Sequence, residues 1–107
     1  MPLQFIYRLE PARPDMLATG PTARESAVVA EHLAYLQGLT ARQVVLMAGR
    51  TTAPDEPAMG IVLLQAASTE EAEGIMRNDP AVSQGVMRTR LLPFRVALWC
   101  TDAAPKS

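Results

Sequence analysis

Residues 60–80 read Gly60-Ile-Val-Leu-Leu-Gln-Ala-Ala-Ser68-Thr-Glu-Glu71-Ala-Glu-Gly-Ile75-Met-Arg-Asn-Asp79-Pro80. An apolar run of strand length, Gly60–Ala67, leads directly into Ser68-Thr-Glu-Glu71, the pattern of a capping box. There a Ser hydroxyl caps an orphan amide and a Glu reaches back to the start of the helix. The helix so opened stops where Asp79-Pro80 bars continuation. One strand and the helix that follows it are thereby fixed, and the rest of the chain is read outward from them.

Upstream, residues 3–9 alternate and carry Phe5, Ile6 and Tyr7, which predicts a first strand. Pro11, Pro14 and Pro21 then mark a loop in which no helix is expected. Thr22-Ala-Arg-Glu25 is another capping box, and Val28, Val29, Leu33, Leu36 and Leu39 recur behind it at helical spacing as one apolar stripe. Val44–Ala48 reads as a second strand and Thr51–Pro57 as an exposed loop. Downstream, Met87–Cys100 reads as a long last strand, bent or bulged at Pro93. The order is β-α-β-β-α-β, the split βαβ arrangement, an α+β ferredoxin-like fold with a four-stranded antiparallel sheet. Residues 1–100 form the one domain, and 101–107 are expected to be a flexible tail.

Two helices can cover only one face of such a sheet. Yet the strands are apolar on both parities: Val62, Leu64 and Ala66 against Ile61 and Leu63, and Phe94, Val96 and Leu98 against Leu91, Ala97 and Trp99. An uncovered apolar face is an interface signal, and a second copy is its economical cover. The sequence therefore predicts a homodimer packed sheet to sheet.

Composition narrows the function. The 107 residues are 49% hydrophobic and 20% charged, with ten basic and eleven acidic side chains and a net charge of −1. This excludes wholesale disorder and provides no basic excess for a nucleic acid or an anionic membrane. No run approaches a membrane span, and with no targeting pattern a cytoplasmic location is expected. One Cys and one His make neither an internal disulfide nor a metal site, and no phosphate loop or dinucleotide fingerprint occurs, so no cofactor is expected.

Chemistry rests on few residues. His32, the single histidine, has Val28 and Leu36 at four-residue steps and so belongs to the inward stripe. Asp79 follows Met76 and Ile75 by three and four residues and faces inward if the last turn holds. Two ionisable groups on apolar stripes are costly unless they partner each other. A carboxylate on one ring nitrogen would fix the tautomer and leave the other nitrogen as base or acid. Against this, Asp before Pro often only caps a turn. His32 also lies ten residues, about 15 Å, into its helix. Pairing therefore requires a late helix start or a chain that dips after Asp79. Arg13 and Arg50 fall in loops at the same end of the sheet, suited to a carboxylate or phenolate. Tyr7 joins them as a candidate substrate-binding side chain, though an amphipathic core role also suits it.

The strings Arg13-Pro14, Glu25, His32-Leu-Ala-Tyr35-Leu and Ala48-Gly49, followed by Gly60-Ile-Val, Ser68-x-x-Glu71-Ala72, Asp79-Pro80-x-Val82-x-x-Gly85-Val86 and Pro93-Phe94, resemble the YCII-related (YciI-like) family across nearly the whole chain. The resemblance implies a dimeric α/β barrel, with His32 and Asp79 as the active-site pair. Some relatives remove chloride from a hydroxylated ring without a cofactor. The chain departs from the family pattern at Gln43, where a Gly is usual, and at Gly49-Arg50, where Gly-Pro is common. The expectation is a small cofactor-independent acid/base enzyme of lyase or isomerase type acting on a small hydroxylated or aromatic compound. The alternative is a non-catalytic dimeric module that binds a small ligand or regulates a partner.

Overall fold

The computed structural model describes residues 2–53 and 58–101, with positions 17 and 18 described by backbone alone. Eight elements follow in order: β1 (Leu3–Pro11), α1 (Met16–Thr19), α2 (Ala23–Ala41), β2 (Val45–Arg50), β3 (Gly60–Ala66), α3 (Thr69–Arg77), α4 (Pro80–Ser83) and β4 (Met87–Phe94). The strands form one open antiparallel sheet in the order β2-β3-β1-β4. This is the expected ferredoxin-like βαββαβ sheet, with two extra single-turn helices.

Local sequence explains the helix starts. Thr22 caps α2 through a complete capping box, its hydroxyl accepting from the Glu25 amide and the Glu25 carboxylate accepting from the Thr22 amide. The second box is half made: Ser68 accepts from the Glu71 amide, but the Glu71 carboxylate accepts from Ala67, one residue earlier. Two helix ends share one geometry. Behind α4, Gly85 has φ 73°, with its amide donating to Val82 and the Val86 amide to Ala81. Behind α2, Gln43 has φ 63° and the same bonds run from Gln43 to Thr40 and from Val44 to Leu39. Both are Schellman ends, whose left-handed residue is usually Gly.

One face of the sheet packs against the helices. Phe5, Tyr7 and Leu9 of β1 and Val62, Leu64 and Ala66 of β3 join Leu36 and Leu39 of α2 and Ala72 of α3 in a single core. Tyr7, Val45, Val62 and Leu64 are among its most deeply buried side chains. Each large apolar side chain buried this way stabilises the fold by about 1.5–3 kcal/mol. By strand alternation, Ile6, Leu63, Leu92 and Phe94 face away from the helices. That face is apolar at one end only. At the other, Arg8 and Arg90 sit directly opposite each other, with Glu10 opposite Arg88.

Four expectations need correction. The segment between Pro11 and Pro21 does hold a helical turn, α1, because its prolines flank Met16–Thr19 and leave that turn's amides free to bond. The last strand ends at Phe94 rather than Cys100: β1 begins at Leu3, so no partner backbone remains beyond the Gln4–Phe94 pair. There the Gln4 side chain takes over, accepting from the Val96 amide. No bulge occurs at Pro93, whose edge strand keeps continuous register with β1; the irregularity lies in β2, between Val45 and Met47. Leu33, assigned to the core stripe, is 56% exposed. Of the expected loop Thr51–Pro57, residues 54–57 lie outside the described residues, as does all of the expected tail beyond residue 101.

Candidate active site

The length of α3 decides where Asp79 falls. Helix α2 starts at Ala23, with no late start, and His32 lies midway along it. Helix α3 has nine residues, about 13 Å, against nineteen in α2, and ends two residues before Asp79, which meets His32. The residue before Pro80 is forced out of the helical region, and Asp79 adopts φ −63°, ψ 124° as N-cap of α4, with Pro80 in its first turn. Its carboxylate accepts the Ala81 amide at 2.9 Å. The turn-capping role and the pairing role thus belong to the same side chain.

Nδ1 of His32 lies 2.7 Å from Oδ1 and 2.8 Å from Oδ2 of Asp79. The Tyr7 hydroxyl donates to Oδ2 at 2.8 Å. The Asp79 side chain is fully buried and that of His32 is 16% exposed. Facing a carboxylate, Nδ1 is assigned the proton, so Nε2 is the free nitrogen of the neutral ring. Among the described residues Nε2 has no hydrogen-bond partner. Burial, then the Asp79 charge, pushes the Tyr7 phenol far above its usual range. Tyr35, whose hydroxyl donates to the Ile75 carbonyl at 2.6 Å, is raised by burial and by the same charge.

The imidazole lines a cavity of about 660 Å³ between α2 and the β2–β3 side of the sheet. Its walls are mostly apolar, with Leu9, Leu33 and Leu36 among them. The space exists because Ala48 and Gly60, on the helix-facing side of β2 and β3, put almost no side chain beneath α2. This accounts for Leu33, which is exposed into a cavity instead of packed on a core. Ser26 and Arg50 also line it.

The remaining candidates separate. Arg50 is at the cavity. Tyr7 is not among the lining residues and sits behind Asp79 in the core. Arg13 is also absent from the lining. Its guanidinium donates to both Glu25 oxygens at 2.9 and 2.7 Å, to Gly20 O at 2.9 Å and to Thr19 Oγ1 at 3.2 Å. It ties the β1–α2 connection to the α2 cap, and that connection brings Met16 and Pro21 to the cavity wall. Ser26 reaches the wall because its spacing to Val29 and Leu33 is that of one helix face, a signal present in the sequence. Among the described residues, no group of three or more His, Cys, Asp or Glu side chains could hold a metal ion, and no helix is long and apolar enough to cross a membrane.

The family model for the YCII-related domain matches residues 5–95, a span that takes in all of the sheet but the first two residues of β1, together with His32 and Asp79. The chain belongs to the YCII-related family. Among solved structures this YCII-related chain is similar to the 5-chloro-2-hydroxyhydroquinone dehydrochlorinase (TftG) of Burkholderia phenoliruptrix AC1100 in complex with 2,5-dihydroxybenzoquinone. The two share 23% identity over 87% of this chain and 94% of that one, with a TM-score of 0.65, which shows a common fold. The uncharacterized protein TM1266 of Thermotoga maritima aligns at 9% identity over 87% of this chain and 96% of that one, with a TM-score of 0.48. No curated protein matches the chain.

Proposed function

We propose that the protein is a small acid/base enzyme in which Nε2 of His32 moves a proton on a hydroxylated or aromatic compound held in the cavity. The observation that carries this reading is the orientation of the imidazole: Nδ1 is held by a buried carboxylate while the ring lines an apolar chamber of about 660 Å³. In an elimination, Nε2 takes the proton and the bonding pair left behind expels chloride, so that HCl is lost and no oxidant is needed. In an isomerisation, the same nitrogen returns the proton at another atom. The imidazolium formed in between is stabilised by Asp79. Arg50 at the cavity wall offers a cation to a phenolate or carboxylate. The likeness to a dehydrochlorinase supports trying the elimination first.

In the same reading the working unit is a homodimer joined through the open sheet face, supported by Ile6, Leu92 and Phe94 on that face. A second reading, a non-catalytic ligand-binding module, is favoured by the structural duties of Asp79, which caps α4 and accepts the buried Tyr7 hydroxyl. Chloride release from chlorinated hydroxyhydroquinones, and isomerisation of related hydroxylated rings, separate the two. The enzyme reading expects turnover that rises through one ionisation and vanishes in a folded His32→Ala variant. Full activity in His32→Ala would remove His32 as the base, and ligands that bind and are never converted would favour the module.

A further inference from the structure

We propose that Tyr7 is a positioning residue for the His32 base: its hydroxyl holds the Asp79 carboxylate in place and disperses part of its charge, leaving Nε2 ready to accept a proton. The inference rests on the acid/base reading of His32 and identifies what sets the strength of that base.

Tyr7 is completely buried in the centre of β1, between Phe5 and Leu9 of the core. A hydroxyl at such a position costs free energy unless it is bonded, and Phe would fill the same space without that demand. Its partner is Asp79, 72 residues along the chain. The carboxylate thus faces three donors: the Tyr7 hydroxyl, the Ala81 amide and Nδ1 of His32. The first two are neutral and fixed, one by the sheet and the other by the first turn of α4. The phenol keeps its proton because burial and the Asp79 charge both oppose its ionisation.

Neutral donors on a carboxylate compete with an imidazolium for the same charge. With Tyr7 in place, Asp79 orients the ring but pulls less strongly on a proton at Nε2. Without it, more of the carboxylate's charge falls on His32, which then holds its proton to higher pH. The other titratable groups around the ring are Tyr35 on its own helix, whose hydroxyl is spent on the Ile75 carbonyl, and Arg50 across the cavity from β2. Neither donates to Asp79.

The chain has one histidine and two tyrosines, which makes the test clean. The ring-proton NMR signal of His32 is titrated in the substrate-free protein for wild type, Tyr7→Phe and Tyr35→Phe. Tyr7→Phe should move the midpoint up by about one pH unit, while Tyr35→Phe leaves it in place. Biosynthetic 3-fluorotyrosine in the Tyr35→Phe background makes Tyr7 a stronger donor of almost the same shape, and should move the midpoint down. That arm decides the matter should Tyr7→Phe fail to fold. A midpoint unaltered by either change at Tyr7, or shifted equally by Tyr35→Phe, overturns the inference. Because no substrate is involved, a failure to find turnover counts against the proposed enzyme and leaves the titration result intact.

Discussion

Oδ1 of Asp79 accepts the Ala81 amide 2.9 Å away and lies 2.7 Å from Nδ1 of His32, so one oxygen both starts a helix and orients an imidazole. The hydrogen bonds of this carboxylate and its charge can be removed separately by substitution. Asp79→Ala orphans the Tyr7 hydroxyl and the Ala81 amide, and urea denaturation should show a loss of about 3 kcal/mol or more. Asp79→Asn keeps an acceptor for the cap and should cost roughly half as much. With its oxygen kept on the Ala81 amide and on Nδ1, the Asn turns its NH2 group toward the Tyr7 hydroxyl and carries no charge to stabilise an imidazolium. A folded Asp79→Asn protein with strongly reduced turnover is the expected result, and near-wild-type rates would contradict the role assigned to the Asp79 charge.

Glu25 gives the fold a defined acid limit. The Arg13 guanidinium, and after it the Thr22 amide, hold its carboxyl down at about 2, from an ordinary 4.5. A depressed folded value means that the stabilisation is complete above about pH 4.5 and is lost as the pH falls toward 2. Wild type and Glu25→Gln should differ most in melting temperature near pH 6, and the gap should close across that window. A constant gap from pH 6 to pH 2 would show that the pair is not what Glu25 contributes.

Gln43 occupies a left-handed position at φ 63° that Gly85 fills at the matching end of α4. Replacing it by Gly removes a penalty of about 1–2 kcal/mol and adds back part of it as chain entropy in the unfolded state. The net expectation for Gln43→Gly is a gain of about 0.5 kcal/mol. Gln43→Val should instead be destabilising, since β-branched side chains tolerate this conformation worst. Chemical denaturation of the two variants checks the sign.

Phe94 is 45% exposed on the sheet face turned from the helices, so an acidic replacement costs the single chain little. Sedimentation of wild type should give about twice the 11.6 kDa chain mass, and Phe94→Asp should shift the population toward single chains with unchanged circular dichroism. A monomeric wild type would remove the homodimer from the proposal.

What could be read in the sequence was what short-range chemistry decides. The Thr22–Glu25 box and the stop at Asp79-Pro80 each involve neighbours within a few residues, and both gave correct boundaries. Where β4 stops depends on where β1 begins, more than eighty residues away, and nothing in Arg95–Cys100 signals it. The exposure of Leu33 depends on what lies beneath it, namely Ala48 and Gly60 on other elements. His32 and Asp79 were legible as inward residues, but their meeting turned on a helix length. The Tyr7–Asp79 bond left no local trace, because a tyrosine in an apolar strand looks the same with or without a buried partner.

The nine-residue span of α3 acts as a ruler for this site. One residue added or removed before Asn78 would move Asp79 by about 1.5 Å along the axis and turn it by roughly 100°. The carboxylate would then leave His32 and Tyr7, while its local bond to the Ala81 amide would travel with it. Replacements on the outer surface of α3, such as at the exposed Glu70 or Arg77, leave that measure untouched. The outer surface of the segment can therefore vary in its letters while its count stays fixed.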